Sequence, residues 1–414
     1  MQMSRRFLLR NGALALAGTT AIPGFLVRSL MAQTASVPGR RLVIVFQRGA
    51  ADGLNIVVPY REKNYYSMRP SLAILQNQVL DLDGFFGFHP ALAKLKLLYD
   101  QGHLAVVHAA GSPDLSRSHF DAQDYMESGT PGMKSTADGW LNRALQGEDL
   151  RRRQQHTAFR ALALGSEVPR TLAGKIPAIA LNNVNNFVVG PRGKAPSPAA
   201  GAFEAMYGDS GDKIFHPAGE ETFEAVKMLR AANPAQYAPS VGVEYPGSEF
   251  GGNMRQIAQL LKANLGVEAA FTDVSGWDTH YDQGSVNGQL SNRLRDFSES
   301  IAAFWRDLGD GAEGVTLVTM SEFGRTAREN GTGGTDHGHA NAMFVLGGSV
   351  KGGKVYGRWP GLTNEQLNEG RDQALTTDVR QVLGEVVTRS LGASNLELVF
   401  PGARLTQSRF LGLA

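Results

Sequence analysis

The sequence predicts an α/β protein built on a doubly wound, mostly parallel sheet that is sandwiched by helices. Short apolar runs with the length of buried strands alternate along the chain with segments of helical periodicity. Polar residues that could carry chemistry follow directly after several of these runs, as in sheets that bind ligands at the carboxyl ends of their strands. Glycine makes up 49 of 414 residues, which indicates many tight loops between the elements.

The elements follow from local patterns. The apolar run 42–46 predicts a first, fully buried strand, and leucines at 92, 95 and 98 predict a helix over 90–99. The pair Ser128-Gly129 is expected to end another helix, which begins at residue 119. The other predicted strands are 104–108, 159–164, 178–181, 267–271, 315–320 and 342–346, and the predicted helices after the first are 119–127, 254–264, 290–308 and 377–391.

One domain is expected over residues 36–414. The stretch 182–252 is rich in Gly, Pro and Asn and has weak periodicity. We expect it to form a cap or a set of insertions over one end of the sheet and not an independent domain.

Residues 1–35 form a candidate export signal. They hold four arginines and no acidic residue, and the segment from Ser4 to Arg10, which contains Arg5 and Arg6, resembles the twin-arginine (Tat) signal. The apolar stretch that follows is shorter than the roughly 20 residues of a membrane-spanning helix. A cleaved Tat signal is favoured over a membrane anchor or the start of a cytosolic domain. The sequence therefore predicts a periplasmic or otherwise exported protein with the Tat translocon as a partner during export and no stable membrane span.

Composition excludes several classes of function. The formal net charge is +2, and removal of the four signal arginines takes the mature chain to about −2, so no basic tract supports nucleic-acid binding. The chain has no cysteine, which excludes disulfides, cysteine-ligated zinc, iron–sulfur clusters and a cysteine nucleophile.

Five polar segments are candidates for one site at the sheet edge. Four of them follow predicted strands, whereas the fifth precedes the strand 342–346. The fifth can join the others if that strand runs antiparallel or its loop folds back. The segments are 47–53, 111–120, 276–280, 321–326 and 335–339.

Metal binding would explain such a cluster. Four carboxylates brought together without partners would repel one another, and divalent cations would neutralise them. Imidazole together with carboxylate suits Zn²⁺ or Mn²⁺, one or two per chain, better than Ca²⁺ or Mg²⁺, which remain alternatives. The alternative for each motif alone is a turn, a surface pair or a packed histidine. The candidate ligands are Asp52, Asp278, His280, Glu322, Asp336, His337 and His339.

A serine at a helix start is the candidate nucleophile. Ser118 directly precedes the predicted helix, where a cation and the helix N-terminus would activate a hydroxyl, and Ser116 is the second candidate. Either serine could instead serve only as a helix cap. Arg117, with Arg48 and Arg325, is a candidate for binding anionic oxygens, or a structural partner of the carboxylates.

Taken together, these motifs resemble a Tat-exported bacterial domain-of-unknown-function family that is classed with the alkaline phosphatase and sulfatase superfamily. The resemblance spans nearly the whole mature chain. It is carried by the segments 42–55, 116–124, 276–280, 321–326, 336–339 and 376–382.

The resemblance implies an alkaline phosphatase-like fold and a metal-dependent hydrolase of phosphate or sulfate esters, with a small-molecule or glycan ester as substrate. It implies Asp52 as the ligand after the first strand and Ser118, or else Ser116, as the nucleophile. Asp278 and His280 resemble one metal pair, and residues 336–339 resemble the last metal loop. Glu322-Phe323-Gly324 stands where many members have Asp-His-Gly, so a non-catalytic binding or envelope-assembly protein is the alternative. A formylglycine sulfatase is disfavoured because the required spacing is absent.

Overall fold

The computed structural model describes residues 40–152, 156–184, 228 and 236–413. The predicted export signal lies outside these residues, and so does most of the predicted cap. Within the described residues, no helix is long and apolar enough to cross a membrane.

Among the described residues, a nine-stranded mixed sheet forms the centre of the molecule. The strands are β1 Arg41–Arg48, β2 Leu104–Gly111, β3 Ala161–Leu164, β4 Ile179–Leu181, β5 Ala269–Ser275, β6 Val315–Ser321, β7 Asn341–Gly347, β8 Lys354–Tyr356 and β9 Thr377–Asp378. Eight of them lie in the order β8-β2-β7-β6-β1-β5-β3-β4, and β9 pairs beside β2. Neighbouring strands are parallel except at β7, which is antiparallel to both β2 and β6. The predicted mostly parallel α/β sheet is confirmed.

In the part of the chain that the structure describes, six main helices flank this sheet. They are α1 Ala93–Asp100, α2 His119–Ser128, α3 Trp140–Arg152, α4 Glu249–Lys262, α5 Gln289–Leu308 and α6 Val379–Ser390. Short helical turns lie at Gly53–Ile56, Lys63–Met68, Pro90–Leu92, Arg170–Leu172, Gly309–Gly314, Leu396–Val399 and Gln407–Arg409, and a small antiparallel sheet joins Val57–Val58, Gly87–Phe88 and Leu80–Asp81.

The sheet is buried on both faces because its central strands are apolar at nearly every position. Along β1, Val43 and Val45 enter a core with α1, α4 and α5, whereas Leu42, Ile44 and Phe46 enter the opposite core with α3 and α6. Successive strand residues point to opposite faces, so a continuous apolar run supplies both cores.

Local signals set the helix ends. Ser248 and Asp378 cap α4 and α6, each accepting a backbone N–H from the first turn through its side chain. Gly129 ends α2 in the left-handed conformation, as the sequence predicts. The prediction for residues 377–391 needs correction, because Thr377 and Asp378 pair with β2 before α6 begins.

Candidate metal centre

The reversed direction of β7 completes the site. Residues 335–339 lead into β7, and the polar segments that follow β1, β5 and β6 leave the sheet at the carboxyl ends of parallel strands. Because β7 is antiparallel to β6, its amino end lies at the same edge as their carboxyl ends. The backbone bridge between Arg325 and His337 ties the last two segments together.

Three imidazoles and one carboxylate meet at this edge. His337 Nε2 lies 3.0 Å from His119 Nε2 and 2.8 Å from His280 Nε2. Asp278 Oδ1 lies 3.1 Å from His280 Nε2 and 3.3 Å from His337 Nε2, and Asp278 Oδ2 lies 3.6 Å from His119 Nε2. Four ligand atoms around a tetrahedral Zn²⁺, with bonds near 2.0–2.1 Å, would lie about 3.3 Å apart. His119, Asp278 and His337 bring ligand atoms within 4.8 Å of one another, which is close enough for one cation, and His280 Nε2 lies against His337 and Asp278. These four residues are called here the metal centre.

Each histidine is held through its other ring nitrogen. His119 Nδ1 lies 2.8 Å from Glu322 Oε1, and His280 Nδ1 lies 2.9 Å from Asp336 Oδ1. His337 Nδ1 lies 2.9 Å from the carbonyl oxygen of Arg117. An acceptor at Nδ1 keeps the proton there and leaves the Nε2 lone pair free for a metal, which is the usual arrangement around metal-binding histidines. Glu322 and Asp336, both candidate ligands in the sequence, hold two of these histidines.

The field of Arg325 keeps Asp278 ionised. Burial opposes ionisation of Asp278, but the hydrogen bond and charge of the Arg325 guanidinium outweigh burial and hold the pKa of this carboxyl below its usual value. Arg325 is itself buried, with its Nη2 2.5 Å from Asp278 Oδ1. Its guanidinium also donates to the carbonyl oxygens of Gly49, Ala50, Trp277 and Thr335, so it joins its own segment to three of the other four.

The pKa shifts of His119 and His337 have opposite directions. The hydrogen bond to Glu322 raises the pKa of His119 above its usual value, against the effect of burial. Burial lowers the pKa of His337, against its bond to the Arg117 carbonyl. For Glu322, burial raises the pKa, but bonds from His119, Gln123 and the Gly49 amide outweigh it and keep the carboxylate ionised.

Two of the predicted ligands lie in other surroundings. Both oxygens of Asp52 bind the guanidinium of Arg69 at 2.6 and 2.9 Å, and Gln283 donates to Asp52 Oδ2 as well. His339 is buried with its Nε2 2.9 Å from the Ser112 carbonyl oxygen, and its Nδ1 has no hydrogen-bond partner among the described residues. Neither side chain contacts a member of the metal centre in the described structure, because these bonds hold both of them elsewhere.

The predicted catalytic residues lie on the loop that leads to His119. Ser118 is the exposed N-cap residue of α2, and its hydroxyl accepts no capping hydrogen bond from the described helix. Ser116 Oγ accepts the Ser118 amide, so Ser116 shapes the loop. The Arg117 guanidinium binds Asp372 and Glu369, which leaves the Arg117 carbonyl as its contact with the metal centre.

His119 and Arg69 are the site residues that the sequence did not single out. His119 stands at the first position of α2 inside a quoted motif, but lacks the Asp-x-His spacing that marks His280. Arg69 lies in a segment without any chemical motif. Its role depends on a contact with Asp52 across 17 positions of the chain, for which the sequence carries no local signal.

Similar solved structures are distant from this chain. They include the lipoteichoic acid synthase LtaP from Listeria monocytogenes (9% identity, 75% of this chain and 66% of that chain, TM-score 0.34). A second is the zinc complex of the C-terminal periplasmic domain of EptC from Escherichia coli (10% identity, 76% of this chain and 74% of that chain, TM-score 0.36). A third is a protein in the alkaline phosphatase superfamily from Vibrio parahaemolyticus (11% identity, 77% of this chain and 62% of that chain, TM-score 0.32). The chain spans less than two thirds of the length of the Listeria and Vibrio structures.

A family model decides the relationship. No curated protein matches the sequence. The model described as "Protein of unknown function (DUF1501)" matches residues 103–397, which cover most of the chain and four of the five polar segments. The family resemblance is thereby confirmed, and the chain belongs to the DUF1501 family.

Proposed function

We propose that this protein is an exported, metal-dependent hydrolase that acts on phosphate or sulfate esters. The observation that carries the proposal is that the Nε2 atoms of His119 and His280 both lie close to His337 Nε2 and all three lie close to Asp278, with a hydrogen-bond acceptor behind every imidazole. Histidines that bind a metal through one ring nitrogen nearly always donate from the other nitrogen to such an acceptor.

His119, Asp278, His280 and His337 would hold the cation, and their nitrogen and carboxylate donors favour Zn²⁺ or Mn²⁺. A bound divalent cation supplies Lewis acidity to an ester oxygen and makes an attacking oxygen more acidic. Glu322 and Asp336 keep the Nδ1 protons of His119 and His280 in place. Arg325 keeps Asp278 ionised.

Ser118 is the proposed nucleophile. Its hydroxyl stands at the N-terminus of α2, one residue before His119, and is free of a capping bond. The helix N-terminus favours the negative charge that develops on the attacking oxygen. Attack would form a bond from Ser118 Oγ to phosphorus or sulfur and break the bond to the departing alcohol, which takes up the proton that the Ser118 hydroxyl loses. Water then releases the phosphate or sulfate and restores the hydroxyl.

Export would use the Tat pathway. Changing Arg5 and Arg6 together to Lys should leave unprocessed precursor in the cytoplasm, because the pathway depends on the arginine pair. Cell fractionation with an immunoblot measures this outcome. Normal periplasmic accumulation of the double variant would contradict Tat export and leave the ester hydrolase to be tested separately.

An ester screen tests the activity. Purified mature protein should hydrolyse at least one phosphate or sulfate ester after loading with Zn²⁺ or Mn²⁺, and His337→Ala should abolish this activity. His103→Ala is the matched control, because His103 precedes β2 at the opposite edge of the sheet and contacts Trp305. Ser118→Ala should lose turnover by several orders of magnitude and keep its metal. Metal binding without hydrolysis of any ester would favour the non-catalytic binding or envelope-assembly protein instead.

A further inference from the structure

The negative charge of Asp52 is balanced by an arginine of the same chain, Arg69. Asp52 and Arg69 are both fully buried, and their two-pronged contact places Arg69 Nη1 2.6 Å from Oδ2 and Nη2 2.9 Å from Oδ1. Gln283 Nε2 donates to Oδ2 at 2.7 Å. A planar guanidinium in this geometry satisfies a carboxylate in both distance and direction.

Arg69 is fixed in this position by the rest of its donors. Its Nε binds the Ala327 carbonyl oxygen at 3.0 Å, and its Nη2 binds the Thr326 carbonyl oxygen at 2.8 Å. Its Nη1 also binds Asn55 Oδ1 at 2.7 Å. All donors of the guanidinium are therefore used inside the core, and moving Arg69 away from Asp52 would break several buried hydrogen bonds at once.

The charges around the metal centre leave room for one divalent cation. Four carboxylates belong to the predicted ligand set, namely Asp52, Asp278, Glu322 and Asp336. Two of them pair with a buried guanidinium: Asp52 pairs with Arg69, and Asp278 pairs with Arg325. If the imidazoles are neutral, the negative charges of Glu322 and Asp336 remain uncompensated. One divalent cation would balance these two charges.

The charged side chains around His337 do not change this balance. The carbonyl oxygen of Arg117 contacts the His337 ring, and the guanidinium of Arg371 donates to the His337 carbonyl oxygen. The Arg117 guanidinium pairs with Glu369 and Asp372, and that of Arg371 pairs with Asp372. These two positive and two negative charges cancel. A second divalent cation at the same edge would leave an excess of two positive charges, because Asp52 and Asp278 already pair with guanidinium groups, and like charges at close range repel.

We propose that the metal centre holds one divalent cation per chain, not two, and that Arg69 supplies at Asp52 the positive charge that a second cation would otherwise bring. This inference rests on the proposed metal-dependent function. It deepens that function by assigning Asp52 to an internal ion pair and the cation to the ligand set of His119, Asp278, His280 and His337.

Metal stoichiometry tests the inference without any variant. Mature protein is stripped with a chelator, equilibrated by dialysis against Zn²⁺ and, in a second sample, Mn²⁺, and its metal content is measured by elemental analysis. The expected result is one equivalent per chain, and two equivalents would overturn the inference. No metal in the parent protein would instead refute the proposed metal-dependent function, so the two failures are distinguishable.

Paired variants identify the ligands. Asp52→Asn alone leaves a buried, unpaired guanidinium and can fail to fold, so the double variant Asp52→Asn/Arg69→Gln removes both charges together. This double variant should still bind one equivalent, with a dissociation constant within about threefold of the parent value. Asp278→Asn should lose the cation. Loss of the cation in the folded double variant would make Asp52 a ligand and overturn the inference.

Discussion

At the residue scale, the arrangement of histidines and carboxylates divides the predicted ligands into two groups. Asp278, His280 and His337 meet at one point, whereas Glu322 and Asp336 stand behind histidine rings. Sequence spacing predicted which residue types share this edge of the sheet. It could not separate the two groups, because a carboxylate that binds a cation and one that binds a histidine have the same local pattern.

The charge of Glu322 should matter for metal affinity. Glu322→Gln keeps an oxygen near His119 Nδ1 but removes the negative charge that makes the ring a stronger donor to a cation. Affinity for Zn²⁺ should fall about 10- to 100-fold, as is typical when an outer partner of a ligand is lost. Competition with a chromophoric chelator measures it. Glu365→Gln, at an exposed position, is the control and should keep the parent affinity. Equal affinities for both variants would contradict the role of Glu322.

At the element scale, the loop after β1 positions the metal centre through its backbone. Gly49 has φ +114°, Ala50 has φ +59°, and their carbonyl oxygens both accept from Arg325. The sequence predicted a polar loop here. It did not predict how closely this loop lies against residues 277 and 278, because that contact joins segments more than 200 positions apart.

The close approach at Gly49 gives a second prediction. A Cβ atom at Gly49 would lie 2.8 Å from the backbone nitrogen of Asp278, whereas one at Gly84, also in a left-handed conformation, would meet nothing within 4 Å. Both Gly→Ala variants pay a conformational penalty of about 1–2 kcal/mol. Gly49→Ala should in addition displace Asp278 and weaken metal binding at least tenfold by isothermal titration calorimetry. Parent affinity in Gly49→Ala would show that the backbone contact does not position the centre.

At the scale of the whole molecule, the sequence predicted most strands of the large sheet and most of the helices that flank it. The sequence also indicated that residues 335–339 can join the site only if the next strand is antiparallel or their loop folds back. The strand β7 is indeed antiparallel. Helix α3, the edge strand β8 and the small sheet were not predicted. Strands of two or three residues are too short to have a period. The sequence of α3 ends in a charged stretch, which hides the helical spacing of the core residues Trp140, Leu141, Ala144 and Leu145.

Acid should destabilise the whole fold through His108. Burial lowers the pKa of His108 to about 4, although its bond to the Val57 carbonyl opposes this effect. The unfolded chain takes up this proton near pH 6.5, so between these values it binds more protons than the native state. The free energy of unfolding should therefore fall as the pH drops from 6.5 to about 4, by roughly 3 kcal/mol from this group.

Urea unfolding across this pH range measures the effect. His108→Gln should reduce the loss of stability on acidification, because the variant has no group to protonate at this position. His103→Gln, which changes a partly exposed histidine, should keep the slope of the parent protein. An unchanged slope in His108→Gln would contradict the assignment of this part of the acid sensitivity to His108.

Anomalous diffraction from crystals of the zinc-loaded mature protein, collected across the zinc absorption edge, tests the central claim most directly. The account predicts one strong anomalous peak among the Nε2 atoms of His119, His280 and His337 and the carboxylate of Asp278, at about 2.0–2.2 Å from its ligand atoms. No peak at this position, or a peak bound by Asp52 or His339 instead, would contradict it.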